Sequence, residues 1–193
     1  MKYRMYIDEV GNSDLGASDS PNHNQAESNI SPVVNYLHQE LIFVGVEAAS
    51  WQEVLTLLAN QLYQRGYVRE SYLPAVLDRE RQFPTGLRTA EVAVALPHTE
   101  KEHVLKPAVA VAILAHPVTF GKMGTEDQTV PVEIVFMLSI LEPDEQVTWL
   151  SRLVSTFQLE GFLSLLKSSP DSATAYQHLL DALEFIRLAE EED

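Results

Sequence analysis

The stretch from Val92 to His103, VAVALPHTEKEH, gathers the side chains of this chain best suited to chemistry. An apolar run with strand character stops at Pro97, and His98, Thr99 and Glu100 follow at once, with His103 a little further on. A metal site is disfavoured, because histidines five apart diverge by roughly 140° on a helix, whereas the zincin pattern spaces them four apart. A serine-hydrolase reading lacks its G-x-S-x-G elbow. The chain has no cysteine, which excludes disulfides, thiolate metal sites and a cysteine nucleophile. Two readings of His98 stay open at this level. It either ends a strand and bonds a backbone group, or it acts as a nucleophile toward phosphorus. Position supports the second, since ligands and chemistry gather where strands end and loops begin. Imidazole titrates near pH ~6.5, so much of it is neutral at pH ~7 and one ring nitrogen can attack. Phosphoryl transfer asks a protein mainly to position and neutralise three oxygens. Thr99 supplies a hydroxyl there, and a guanidinium would offer the matching fork. Spacing alone nominates no arginine.

The elements around this stretch read as an α/β domain. LIFVGV (41–46) predicts a strand. Ser50 and Glu53 have capping-box spacing and open a helix with Val54, Leu55, Leu58 and Leu62 on one face, stopped by Gly66. A second helix is expected over SYLPAVLDRER, with Pro74 in its first turn. VAVAL (92–96), AVAVAILA (108–115) and VEIVFMLSI (132–140) predict strands buried on both faces. Pro143 begins a helix whose stripe is Val147, Leu150, Leu153, Val154 and Phe157. Past Pro170, Asp171 caps a last helix carrying Tyr176, Leu179, Leu180, Leu183 and Ile186, which ends in an acidic tail. Strands interleaved with helices give a mixed β-sheet flanked by helices on both sides.

The 193 residues suit one domain with an appendage, and 46% hydrophobic residues are enough for a sizeable core. A net charge of −15 opposes nucleic acid or an anionic membrane surface as partner and favours a basic protein surface. No apolar run approaches the roughly 18 residues of a membrane span, and the start lacks a secretory signal's apolar core, so a soluble cytoplasmic protein is expected. Residues 1–36 read as a separate leader. Tyr3, Met5 and Ile7 alternate like a short strand, and the Gly-, Ser-, Asn- and Asp-rich run after them reads as a flexible linker.

The body of the chain, about residues 38 to 168, resembles the EIIA component of sugar phosphotransferase systems, in the fructose/mannitol/galactitol class. The matching segments are collinear: QRGYVRESYLPAVLDRERQFPTGL, VAVALPHTEKEH, PAVAVAILAHPVTFGKMG, VEIVFMLSILEPDEQ and WLSRLVSTFQ. The Phe83-Pro84-Thr85-Gly86 turn, the PHTE loop and the FMLSILEP strand end are most similar to the galactitol branch. The resemblance implies a three-layer α/β/α sandwich, the EIIA type 2 domain, over 37–168, with a 169–193 helix and tail packed on it. It implies that His98 accepts a phosphoryl group from phospho-HPr as a tele-phosphohistidine. EIIB then takes the group, usually on a cysteine, and phosphorylates the sugar as it crosses through EIIC. The arginine of LDRE, Arg79, is implied as the group that neutralises the phosphoryl oxygens. No cofactor and no metal are implied. Relatives of the mannitol and fructose type carry a second active-site histidine where this chain has Gln146, whose amide can bond phosphate but cannot change charge. Thr99 and His103 are further supporting candidates. Arg81 and Arg88 are expected as surface charges, His116 as structural or exposed, and Lys122 as a turn residue. EIIA-like domains also serve as regulatory modules that bind transcription regulators or transporters, which is the alternative function. The opening YRMYIDEVGNSD resembles the first strand of an RNase-H-like nuclease family in which Asp8 would bind metal. No partner carboxylates follow it in the context that family shows, so the segment is read as a stray fusion, an engineered leader or a misplaced start.

Overall fold

A computed structural model describes residues 36–141 and 143–191. The strand expected around Tyr3, Met5 and Ile7, together with Asp8 and the linker as far as residue 35, lies outside the described residues. In chain order the regular elements are β1 (Leu37–Val46), α1 (Trp51–Gln64), α2 (Tyr72–Gln82), β2 (Gly86–Leu87), β3 (Val94–Ala95), β4 (Ala108–Gly121), β5 (Thr129–Ser139), α3 (Pro143–Thr156), α4 (Phe162–Lys167) and α5 (Ser172–Glu191). A 3-10 turn covers Lys101–His103.

The strands form one mixed sheet in the order β1-β4-β5-β3-β2. β1 is parallel to β4 and β3 to β5, whereas β4–β5 and β2–β3 are antiparallel. The period-two alternation of the central strands sorts side chains by size onto two faces. On β4, Val109, Val111 and Ile113 join the core cluster under α3, α4 and α5, while Ala108, Ala110 and Ala112 join the cluster under α1 and α2. β5 sends Ile134, Phe136 and Leu138 to the first cluster and Val135 and Met137 to the second. Both faces are covered, so the architecture is the expected α/β/α sandwich. Each fully buried branched side chain contributes about 1.5–3 kcal/mol, which makes the β4–β5 pair the rigid frame from which the site is hung.

The helix signals work locally as read. Ser50 Oγ accepts from the Glu53 N–H at 3.3 Å, and Glu53 reaches back to the Ala49 N–H at 2.9 Å. α1 buries Val54, Leu55, Leu58 and Leu62. It ends before Gly66, which takes a φ of 74° that only glycine adopts freely. On α5, the Thr174 N–H donates to Asp171 Oδ1 at 2.8 Å. Ala175, Leu179, Ala182 and Leu183 bury in the same cluster as Leu37 and Ile42 of β1.

The short β2 and α4 lie outside the sequence expectation, β4 runs on to Gly121, and two further elements differ from it in extent or burial. The strand expected over 92–96 is laddered only at Val94–Ala95. The stripe expected on α3 is buried at Leu153 and Phe157, but Val147 is 68% exposed. Periodicity defines a face of a helix and not how far along it that face meets a partner.

Candidate functional site

β3 runs beside β5 and delivers His98 to the end of the sheet. The Ala93 carbonyl accepts from the Glu133 N–H and the Pro97 carbonyl from the Leu138 N–H, both at 2.9 Å, and His98 itself bridges Leu138 in parallel register. On its other edge β3 pairs with β2 only at Val94 and Ala95, and where Thr85 comes opposite Leu96 the Leu96 N–H goes to Thr85 Oγ1 at 3.1 Å. A side-chain oxygen thus takes the place of the next backbone rung between β2 and β3. From the other side comes α2, whose packing face is Tyr72, Val76 and Glu80. The Tyr72 hydroxyl donates to the Leu138 carbonyl at 2.7 Å, and burial pushes its phenol pKa far up. This bond ties the helix to the strand end beside which His98 lies.

The two ring nitrogens of His98 have partners that dictate one tautomer. Nδ1 lies 2.8 Å from the Leu96 carbonyl, which can only accept, so Nδ1 carries the proton. Nε2 lies 3.1 Å from Arg79 Nη2, which can only donate, so Nε2 presents its lone pair. Burial of the half-buried ring lowers its pKa, the Leu96 bond opposes this, Arg79 lowers it further and Glu100 raises it. The net direction is downward, toward a neutral imidazole.

Besides its contact with His98, Arg79 is held on two further sides. Its Nη1 donates to Glu100 Oε1 at 2.8 Å in an ion pair, with 32% of the arginine side chain exposed. Its guanidinium carbon stands 5.9 Å from the centroid of the exposed Phe83 ring, within cation–π range. Its Nε–H is buried with no acceptor among the described residues. Thr99 Oγ1 donates to Glu100 Oε2 at 2.7 Å. That bond is the first cause of a lowered Glu100 pKa, with its own backbone N–H and Arg79 adding to it. A cleft lined by Arg79, His98, Thr99, Glu100, Ile140 and Leu141 opens over this group. It offers a neutral nucleophilic nitrogen, a cation to meet negative oxygens, and an apolar wall.

The structure thus brings Arg79, His98 and Thr99 together. His103 Nδ1 instead meets Ser71 Oγ at 2.9 Å at the start of α2. Gln146 falls within α3, at whose N-terminal end the chain leaves β5, but its side chain is outside the described residues. Arg81 pairs with Asp78 at 3.3 Å on the surface, Arg88 and His116 are exposed, and Lys122 Nζ donates to Gln128 Oε1 at 2.8 Å across the β4–β5 turn. No cluster of three or more metal-ligating His, Asp or Glu side chains exists among the described residues.

Sequence reasoning missed Glu80 and Thr85. Glu80 is 4% exposed and accepts from the Thr85 N–H at 2.9 Å and the Thr85 hydroxyl at 2.8 Å. A signal was present, since 72, 76 and 80 fall at i, i+4 and i+8 on one helix face. A carboxylate in register with Tyr72 and Val76 is marked for burial.

Comparison with known proteins places these features in a family. Residues 35–182 match the family described as "Phosphoenolpyruvate-dependent sugar phosphotransferase system, EIIA 2". The chain is 28% identical over 128 residues to the galactitol-specific EIIA component of Escherichia coli K12, covering 66% of this chain and 85% of that protein. It is 26% identical over 141 residues to the transcriptional regulator ManR of Bacillus subtilis, covering 72% of this chain and 20% of the regulator. Among solved structures, the mannitol enzyme IIA of Escherichia coli, determined in complex with phosphorylated mannitol enzyme IIB, superposes with a TM-score of 0.60 at 28% identity, covering 75% of this chain and 94% of that one. No helix among the described residues is long and apolar enough to cross a membrane. The chain belongs to the EIIA type 2 family of the sugar phosphotransferase system, in the fructose/mannitol/galactitol class.

Proposed function

We propose that this chain is a cytoplasmic phosphocarrier. It takes a phosphoryl group from phospho-HPr on His98 and passes it to the EIIB of a galactitol-like or related polyol system, whose EIIC is the membrane component. The observation that carries the reading is the pair of bonds on His98, with Nδ1–H fixed by a carbonyl and Nε2 turned toward a guanidinium. The Nε2 lone pair attacks phosphorus, the donor's N–P bond breaks, and its electron pair returns to the donor imidazole. In the second step a thiolate of EIIB attacks phosphorus and the electron pair of the new N–P bond returns to Nε2. Arg79 now occupies the lone-pair direction, so it must slide aside as phosphorus arrives and meet the phosphoryl oxygens. Its buried and unaccepted Nε–H leaves donor capacity in hand for that change. Thr99 acts through Glu100, which it orients toward Arg79. Gln146 is retained as a candidate phosphate contact and His103 as a supporting one. The working unit is residues 37–168, with the helix Ser172–Glu191 packed on it. The similarity to ManR supports a second reading, in which the same phosphohistidine reports to a regulatory partner instead of an EIIB.

Incubation with phosphorylated HPr and mapping of the labelled residue test the reading. One label on His98 is expected, with none on the His98→Ala variant and onward transfer to a polyol EIIB. An alanine variant that still labels fully overturns it. Labelling without transfer to any EIIB favours the regulatory reading.

A further inference from the structure

Arg79 and Glu80 are neighbours on α2 with opposite surroundings, one facing the cleft and the other buried against the next turn. Glu80 receives both the backbone N–H and the hydroxyl of Thr85. The Thr85 hydroxyl donates to Glu80 and, with its oxygen, accepts the Leu96 N–H. The Leu96 carbonyl then receives the Nδ1–H of His98. An unbroken run of hydrogen bonds therefore leads from a buried carboxyl to the ring of the proposed nucleophile. The turn that carries Thr85 is itself fixed. A Cβ on Gly86 would stand 2.5 Å from the Gly121 carbonyl oxygen, and one on Gly121 would stand 2.6 Å from Pro84. These contacts are too close for any side chain, so the turn is pressed flat on the end of the β4–β5 hairpin.

From this geometry we infer that Glu80 and Thr85 are positioning residues for phosphoryl transfer, clamping α2 to the end of β3 so that Arg79 and the correct tautomer of His98 meet. The inference rests on the phosphocarrier reading and adds to it two residues that touch neither phosphorus nor partner. Its action is mechanical. The N–H and the carbonyl of Leu96 belong to different peptide units, so polarisation does not pass straight from Thr85 to His98 along one amide. What passes is position. The hydroxyl decides where Leu96 sits, and Leu96 decides which nitrogen of His98 holds the proton. A nucleophile misplaced by about 1 Å loses on the order of 100-fold in rate.

The test uses the full chain with Thr85→Val, which keeps the shape and deletes the hydroxyl, and Thr85→Ser, which restores it. Two quantities are read: the His98 tautomer by long-range nitrogen–proton NMR correlations, and the kcat and KM of phosphoryl uptake from phosphorylated HPr. In Thr85→Val the Nδ1–H form should cease to be the sole tautomer. Its kcat should fall about 10- to 100-fold with KM for the donor within about twofold, and Thr85→Ser should recover both. A folded Thr85→Val with the wild-type tautomer and rate overturns the inference. Should Thr85→Val fail to fold, Glu80→Gln takes its place, and a wild-type tautomer and kcat there overturn the inference equally. If phospho-HPr leaves wild-type His98 unlabelled, the phosphocarrier reading falls, while the tautomer measurement still decides whether the clamp positions the ring.

Discussion

Two carboxylates do the same work in this molecule at opposite cost. Glu80, on α2, accepts one backbone N–H and one hydroxyl, both from Thr85. Glu91, in the loop between β2 and β3, accepts the Gly161 N–H at 2.6 Å, the Ser164 N–H at 3.0 Å and the Ser164 hydroxyl at 2.7 Å. Glu80 is buried, and desolvation raises its pKa to about 7 against the pull of the Thr85 bonds and Arg79. At exposed Glu91 burial also pushes upward, but the bonds from Ser164 and Gly161 together win and the pKa is lowered. Bonds of the same kind, two at Glu80 and three at Glu91, thus leave one carboxylate uneasy about its charge and the other stabilised in it. The uneasy one is the neighbour of the proposed catalytic arginine. The comfortable one caps α4 on the far layer of the sandwich, where only the fold depends on it.

Arg79→Ala separates the two regions most widely. Deleting a preorganised donor that meets developing charge costs about 100- to 1000-fold in rate, so uptake of phosphate from phosphorylated HPr should slow by that factor. In the same initial-rate assay Glu91→Ala should stay within about twofold of wild type, because the side-chain bonds of Glu91 go to Gly161 and Ser164 at the start of α4, away from the cleft. If Arg79→Ala works at the wild-type rate, Arg79 has no chemical role and the contrast between the regions disappears.

Glu80→Gln sharpens the contrast through pH. The unfolded carboxyl releases its proton near pH 4.5, whereas the folded one holds it up to about pH 7. Between these values folding takes up a proton, so the contribution of Glu80 is fullest at low pH and declines as pH rises toward 7. The shift corresponds to a decline on the order of 3 kcal/mol. His98 slopes the other way in an overlapping window. Its folded pKa lies below 6.5, so the stability it contributes is lost as pH falls. Urea unfolding of Glu80→Gln and of its parent, both carrying His98→Ala, across pH 4.5 to 8 removes the His98 slope from the difference. That difference should fall with rising pH and level off above 7. A flat difference would mean that the buried carboxyl is no more reluctant to ionise in the fold than outside it.

How much of this was legible beforehand depended on whether the signal was local. The strand that stops at Pro97 marked His98 from residue types alone, and Ser50 with Glu53 marked the start of α1, because each signal spans a few residues. Arg79 came from family resemblance and not from spacing, since its nineteen-residue separation from His98 is closed only by packing α2 on the sheet. The tautomer of His98 was hidden because the Leu96 carbonyl is positioned by Thr85, on a different turn. β3 was drawn too long, and nothing local showed that a side-chain hydroxyl takes the Leu96 N–H in place of a backbone rung to β2. α4 was missed outright. It is six residues long, opens at Gly161 with a φ of 81° and has no side-chain cap of its own, so nothing nearby announces it.

That absence makes the smallest effect the most instructive about the far region. The cap of α4 is Glu91, seventy residues upstream of Gly161. Losing a side-chain cap costs about 1 kcal/mol, which for a chain of this size lowers the melting temperature by about 2–4 °C. Glu91→Ala should show that loss at pH 7. The pKa of Glu91 is lowered in the fold, so its contribution is present above the unfolded value near 4.5 and disappears as pH falls through the folded value. Wild type and Glu91→Ala should therefore melt apart at neutral pH and converge in acid, the reverse of the trend expected for Glu80→Gln. If the gap between the melting curves is instead unchanged on acidification, the loss comes from deleted contacts and not from a charged cap. The two carboxylates would then differ in burial but not in how they hold their loops.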